Sequence, residues 1–557
     1  MAKNMANGVE ESNIIKEYNP RQFPENPFDY RKLAGNPRGI GVIPLEKRGT
    51  QIAIIGAGAS GLCAAYELMK MGLHPVVYES ATYPDGSPRI GGRLYTYRFP
   101  GDPRALAELG AMRIPPVHSM VTYYMDRFGI DYSQKFPNPL VVPTHFYFNG
   151  KRHFIPAGGE LTPEIDKAYQ AWNSFILSVI GPLARVWDDP PQRAELWQKY
   201  VQKYANKTFY GVLQEYGITK EDIHLFGSLG FGTGGFDSMF PISFIEILRL
   251  VGCKWEVDQR LIKGGVDQIA MNFWTELTDS LYWGKQCVRD LNEGKPLPAV
   301  KEIFTPAYTG DDVVLTDVTG AVRKFAAVVV SCTHRALEMN IRVNEPTFTS
   351  GVWSAMRNLH MVNSGKVFVR TKTAFWKHHP PGQSLACTIT DEPIRGAYMF
   401  DFEDTPSGVI CLSYTWGDSA VKFNALSHEE RVERSIRCLE KIYGQDLISD
   451  QVEETFSFFW EQAKGYHGAF KLTHPGQYDR QRNLFLQPFV PGPEKHNGVF
   501  LAGESVYWGG GWVECALQAG LNAAMAVVYR LDGQCSDDIR NISTISAFID
   551  KKAEIIL

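Results

Sequence analysis

The stretch "QIAIIGAGASGLCAAYELMKMGLHPVVYES", residues 51–80, constrains this chain more than any other. Ile52–Ile55 is a short, unbroken apolar run of the kind that forms a strand buried on both faces. Apolar residues then recur at three and four spacing from about Ser60 to Met71, which predicts a helix, and "PVVYES" reads as a second strand. Between strand and helix stand Gly56, Gly58 and Gly61, in the pattern GxGxxG. The first glycine allows a tight turn, the second lets the backbone approach a pyrophosphate, and the third lets helix and strand pack closely. Free N–H groups and the positive dipole end at the helix start suit phosphates. Glu79 ends the second strand 18 residues after Gly61, where a carboxylate accepts hydrogen bonds from a ribose and repels a 2′-phosphate. The unit is therefore expected to hold FAD or NAD rather than NADP.

One such unit uses a small part of 557 residues, a length beyond the roughly 250–300 at which single cores stop growing. Residues 1–48 are polar and rich in Pro and Asn, and read as an extended arm on the surface or partly disordered. Between Leu161 and Gln214 helical spacing dominates, with a Thr-Pro-Glu start at 162–164. Strand-like runs return in "VVLTDV", "AAVVVSC", "GKVFVRT", "GAYMFDF" and "GVICLSYTW", and "GVFLAGE" is followed by a glycine-rich turn and the helical "VECALQAGLNAAMAVVYRL". The segments "HPPGQ" and "HPGQ" mark loops.

Composition excludes several functions. A net charge of −4 without basic clusters argues against a nucleic-acid partner. Nine scattered cysteines without CxxC pairs are not a disulfide scaffold and fit a reducing cytoplasm. No secretory leader or uninterrupted apolar run of about 18 residues is seen, so a soluble protein without a membrane partner is expected. No metal site is expected.

Further motifs choose the nucleotide. "RIGGRLYTYR" sets Gly91 and Gly92 beside Arg93, and "FLAGE" ends in Gly503 and Glu504 before a late helix. Together with the glycine cradle these resemble the flavin amine oxidase family, and the resemblance implies bound FAD. It implies contacts from Gly56, Gly58, Ser60, Gly61 and Glu79, from Gly91, Gly92 and Arg93 at the pyrophosphate, and from Val288 in "CVRDL" near the adenine. Met112, Arg113, Gly503, Glu504, Trp512 and Val513 complete the implied cofactor contacts. The fold it implies is α/β: a doubly wound, Rossmann-like FAD-binding domain, a mixed-sheet substrate domain and a helical insertion. The expected division is an arm at 1–48, FAD-binding parts at 49–115, 236–345 and 491–532, a mainly helical subdomain at 116–235, a mixed-sheet domain at 346–490 and a tail at 533–557. The middle FAD-binding part also carries substrate-domain segments.

Within the family, oxidases of amino acids must pair a buried carboxylate, which is costly if left alone. "ELGAMR" supplies Arg113 and resembles the L-amino-acid oxidase segment whose guanidinium grips that carboxylate. "NSGKVFVRTKTAFW" resembles the segment whose lysine, here Lys366, reaches flavin N5 through water; "RGAYMFDF" implies Tyr398 on the carboxylate. "GESVYWGGGWVE" places Gly511 and Trp512 over the substrate amine. Phe244, Trp416, Trp460 and Tyr466 are candidate pocket walls, with Tyr414 a further one. The segments "ELGAMRIPPVHSM", "GFGTGGFDSMFPISFIEILRL" and "FWEQAKGYHGAFKLTHPGQ" resemble the branch that turns L-tryptophan and O2 into indole-3-acetamide, CO2 and water, the first step of a route to auxin. An aromatic L-amino-acid oxidase releasing peroxide and 2-oxo acid, and a phenylalanine-directed monooxygenase, stay open beside it. A flavin-binding scaffold without turnover is disfavoured by Arg113 and Lys366 together, and an amine or polyamine oxidase by Arg113. The oligomeric state is left open, with a homodimer as the assembly considered.

Overall fold

The computed structural model describes residues 18, 22–26, 29–230, 236–280, 282–306, 310–378, 386–490 and 497–535. The tail beyond 535, most of the first 28 residues, "HPPGQ" and part of "GFGTGGF" lie outside the described residues.

The arm is not laid passively on the surface. Phe23 is fully buried, and the arm continues into helix α1 (Tyr30–Ala34), capped by Asp29, and strand β1 (Gly41–Val42). The predicted unit follows as β2 (Gln51–Ile55), α2 (Ala59–Lys70) and β3 (His74–Tyr78). After a short antiparallel pair, Thr96–Phe99 with Asp102–Glu108, come helix α3 (Ser119–Phe128) and a hairpin of β4 (Thr144–Phe148) and β5 (Lys151–Ile155). The stretch read as mainly helical thus also adds two strands to a sheet. The helices there are α4 (Pro163–Arg185), α5 (Pro190–Tyr204), α6 (Phe209–Glu215) and α7 (Lys220–Leu229), followed by α8 (Phe244–Gly252). Asp189, Thr208 and Thr219 accept hydrogen bonds from first-turn N–H groups and so start three of them.

Strand β6 (Ala327–Val330) returns to the nucleotide unit. Next come β7 (Ser364–Thr371), β8 (Cys387–Thr390), β9 (Gly396–Asp401), β10 (Gly408–Trp416) and β11 (Val452–Phe459). The chain closes with β12 (Val499–Leu501), α9 (Val513–Arg530) and β13 (Gln534–Cys535).

Two sheets position the site. In the first, β12, β6, β2 and β3 lie side by side and parallel, with Leu501, Val330, Ile55 and Tyr78 in register at their carboxyl ends. Ligands of open parallel sheets sit beyond such ends. The second runs β11-β7-β10-β9-β8-β4-β5 and is mixed, because β8 and β4 pair in parallel while its other pairs are antiparallel. Helix α2 is buried along its whole length between the first sheet and α9. The crossing is close enough that a Cβ at Gly520 would stand 2.4 Å from the Ser60 carbonyl oxygen. Among the described residues no helix is long and apolar enough to cross a membrane.

Candidate active site

A cavity of about 940 Å³ lies between the carboxyl ends of the first sheet and the face of the second. Its nucleotide end is built by the glycine cradle. Gly58 caps α2 without any side chain in the capping role, so the first-turn N–H groups remain for a ligand. Gly61 is not on the cavity wall but beneath it: a Cβ there would fall 2.1 Å from the Gly56 carbonyl oxygen. Gly58 and Gly91 form an isolated parallel bridge, which joins the two glycine motifs. The Glu79 carboxylate lines the cavity and accepts from the N–H groups of Ala57, Ser80 and Ala81, each at 2.7 Å. Ser60 also lines it, and its buried Oγ has no hydrogen-bond partner. A cradle closed to any side chain, an uncapped helix start and an orphaned hydroxyl fit the diphosphate of a dinucleotide.

Arg93, Gly92, Gly503 and Glu504 line the next part. Arg93 pairs with Glu504 and donates to the Ala469 carbonyl at 2.8 Å, while the second Glu504 oxygen accepts from the Gly511 N–H at 2.9 Å. Val288 is buried in a short helical turn off the cavity wall; the wall at that end comes from Lys295 to Val300 and Val318. That substitution has a simple cause. Leu297 runs alongside the end of β3, where its carbonyl accepts from the Glu79 N–H at 3.0 Å.

The opposite end is held by the loop Glu108–Arg113. Lys366, on β7 and 2% exposed, donates to the carbonyls of Glu108 and Gly110, each at 2.8 Å. The Trp460 indole N–H donates to the Leu109 carbonyl between them at 3.1 Å. Three consecutive carbonyls are thus fixed by the second sheet and its edge, which sets Met112 and Arg113 on the wall. Burial lowers the Lys366 pKa to about 8, opposed by Cys411 and Glu108 and aided by the Arg113 charge. Burial likewise raises Glu108 to about 8.

Arg113 lies with its guanidinium carbon 5.6 Å from the Phe136 ring centre and 5.9 Å from that of Tyr414. Its Nη1 is buried without a partner. Tyr414 stands directly across from Lys366 in the β7–β10 register, and the Lys366 ammonium sits 4.7 Å from its ring centre. Burial raises the Tyr414 hydroxyl pKa, with the Arg113 charge opposing it. Glu256, also on the wall, is raised by burial and lowered in turn by Arg113. Tyr398 is displaced from the expected place. It lies on β9, one strand beyond Tyr414, where it pairs with Cys411 of β10, packs on Phe136 at 5.1 Å and does not line the cavity. Phe244 is also off the wall, in an aromatic core with Phe175, Tyr204 and Phe209.

Trp416, Trp460, Tyr466, Gly511, Trp512 and Val513 line the cavity. Trp512 caps α9 and meets His118 at 5.1 Å and Trp255 at 5.5 Å. His118 and Glu256 escaped the sequence reading; the only signal was the place of His118 five residues after Arg113 in "RIPPVHS". The site offers a nucleotide cleft that runs into a largely apolar chamber where the Arg113 guanidinium, the Tyr414 phenol and Lys366, with its pKa lowered to about 8, come together.

The family model described as flavin containing amine oxidoreductase matches residues 59–528. A tryptophan 2-monooxygenase of Pseudomonas savastanoi is 33% identical over 546 residues, covering 89% of this chain and 93% of that protein. A tryptophan 2-monooxygenase of Pantoea agglomerans pv. gypsophilae is 31% identical over 533 residues, with 89% and 91% covered. A solved putrescine oxidase bound to putrescine is 17% identical and superposes with a TM-score of 0.67, covering 86% of this chain and 99% of that one; this likeness concerns the fold.

Proposed function

The chain belongs to the flavin containing amine oxidoreductase family, and on that premise we propose that it carries out the FAD-dependent oxidative decarboxylation of L-tryptophan by O2 to indole-3-acetamide, CO2 and water. The relatives that match nearly end to end carry this activity in their names. The observation that supports it within the chain is the meeting of Arg113, Tyr414 and Lys366 at the far end of a cavity that begins at the glycine cradle. An amine substrate has no use for a buried cation fork, whereas an amino-acid carboxylate needs one.

FAD, when bound along the cradle, supplies the acceptor for the hydride that leaves the substrate α-carbon. The protein residues do the rest by position and charge. Gly56, Gly58, Ser60 and the start of α2 would hold the diphosphate, Glu79 the ribose, and Arg93 with Glu504 the middle of the cofactor. Arg113 pairs with the substrate carboxylate and Tyr414 donates to it, in the place first assigned to Tyr398. Fixing one end of the substrate in this way orients its Cα–H bond, an effect that can remove many kcal/mol of barrier. The amine must be uncharged, because its lone pair becomes the C=N bond. Lys366, with a pKa near 8, takes up that proton through water more readily than an ordinary lysine would. Trp416, Trp460 and Trp512 wall the chamber and keep solvent from the imino acid while peroxide, formed when O2 takes up the two electrons the substrate has given up, attacks its C=N carbon. The carbon–oxygen bond forms, the carboxylate leaves as CO2, the O–O bond breaks, and amide and water remain.

Incubating the FAD-loaded protein with L-tryptophan in air, and measuring indole-3-acetamide, peroxide and indole-3-pyruvate together, tests this. Amide with almost no peroxide is expected. Peroxide matched by indole-3-pyruvate would make it an aromatic L-amino-acid oxidase whose chamber releases the imino acid.

A further inference from the structure

Among the described residues, four on the cavity wall keep a buried side-chain nitrogen or oxygen without a hydrogen-bond partner: Ser60, Arg113, His118 and Trp416. Leaving a buried polar atom unpaired is costly, so each marks a place where a bound molecule completes the structure. Ser60 belongs to the diphosphate and Arg113 to the carboxylate. Trp416, whose ring lies 5.5 Å from that of Tyr414, can only donate and therefore suits an oxygen at the same end.

His118 differs from these three. It precedes α3, is 1% exposed, and leaves both ring nitrogens unpaired. Its ring stands edge-on to Trp255 at 4.3 Å and to Trp512 at 5.1 Å, and these two indoles meet each other at 5.5 Å. Burial alone pushes its pKa down to about 3, so above that pH the ring is neutral, with one nitrogen donating and the other accepting. An aromatic corner with a neutral acceptor suits a flat ring that carries one N–H. Glu256, a carboxyl on the same wall, differs from His118 in that its Oε2 accepts from the Gln259 amide at 3.2 Å and the Arg113 charge acts on it.

We propose that His118 is the residue that recognises the indole N–H of the substrate, accepting it at the unpaired ring nitrogen while Trp512 walls the ring and Trp255, packed behind both, holds them in place. The inference rests on the tryptophan reading above and adds the residue that makes the site prefer indole to rings without an N–H. A site that pairs such a group discriminates against an analogue lacking it, because the acceptor is then left unsatisfied.

The probe is 3-(benzothiophen-3-yl)alanine, which keeps the shape of tryptophan and replaces its N–H by sulfur. In the FAD-loaded wild type, kcat/KM is expected to favour tryptophan by roughly 10- to 100-fold, with a similar ratio between the Kd values of the two product amides. His118→Leu collapses both ratios to within about threefold, and His118→Gln, which keeps an acceptor, recovers part of them. Equal constants for the two amino acids in a wild type that still makes indole-3-acetamide would overturn the proposal, as would a ratio lost in Glu256→Gln and kept in His118→Leu. A wild type that forms no amide but binds indole-3-acetamide at least about tenfold more tightly than its benzothiophene counterpart, with that ratio lost in His118→Leu, would sink the tryptophan reaction and still support His118 as the N–H acceptor.

Discussion

Arg113 and Lys366 share one chamber wall but make separable predictions. Arg113→Ala removes the cation that pairs with the carboxylate, and breaking such a buried pair costs about 3–5 kcal/mol. We expect kcat/KM for tryptophan to fall by roughly 10²–10³ or more, while tryptamine, which lacks the carboxylate, loses far less. Equal losses on both would show that Arg113 is structural. Lys366 makes a prediction in pH: with its pKa near 8, the fraction able to accept a proton rises through that value, so kcat/KM should rise with it. In Lys366→Met that limb should vanish and the rate fall by about 10². The tyrosine partner illustrates why residue-scale reading stopped where it did. Glycines and terminal acids are dictated by backbone geometry and can be read in one dimension. Tyr398 and Tyr414 sit in similar apolar strands, and only the pairing of Lys366 with Tyr414, and of Tyr398 with Cys411, separates them.

Between elements, the contact that matters most for the chamber is that of α3 with α9. Glu514, in the first turn of α9, accepts from the N–H groups of Met120 at 3.0 Å and Val121 at 2.9 Å and from the Ser119 hydroxyl at 3.2 Å, so one carboxyl caps the neighbouring helix. His118 and Trp512 immediately precede these two helix starts, and Glu514 therefore holds the aromatic corner together. Burial raises its pKa from 4.5 to about 7 against those same hydrogen bonds. Between these values the folded chain keeps a proton that the unfolded chain has released. The stability from this group is complete below about pH 4.5 and is lost as pH rises through about 7. Glu514→Gln cannot ionise, so its Tm relative to wild type should increase from pH 5 to pH 8; an unchanged difference would mean that the carboxyl does not titrate there. The helix α9 and its preceding turn were legible, since an apolar run after "GGG" has few other fates. Its cap on α3 was not, because the partners lie nearly 400 residues apart.

Taken whole, the molecule is tied together by the segment whose sequence said least. "RQFPENPFDYRKL" has no periodicity, because its anchoring side chains are shared out among several elements instead of facing one. Phe23 packs on Trp255 at 4.4 Å, Glu25 pairs with the buried Arg249 of α8 at 2.8 Å, Asn26 meets Gln518 and Tyr507, and Tyr30 bonds to Asn522 of α9. Farther on, β1 pairs antiparallel with β13, so the start and end of the described chain close on each other. A pattern reader sees polarity and prolines there, whereas the fold uses Phe23, Glu25, Asn26 and Tyr30 as pegs into the rest of the chain. The consequence for stability is large. Phe23→Ala should destabilise by about 3–5 kcal/mol, seen as a lower urea midpoint at unchanged slope, against about 0.5 kcal/mol for a passive surface arm. Because Phe23 backs Trp255, which in turn frames Trp512 and His118, the same change should also weaken indole-3-acetamide binding at temperatures where the protein is still fully folded. Loss of stability with unaltered affinity would place the arm outside the energetics of the chamber and confine it to holding α8 and α9 in place.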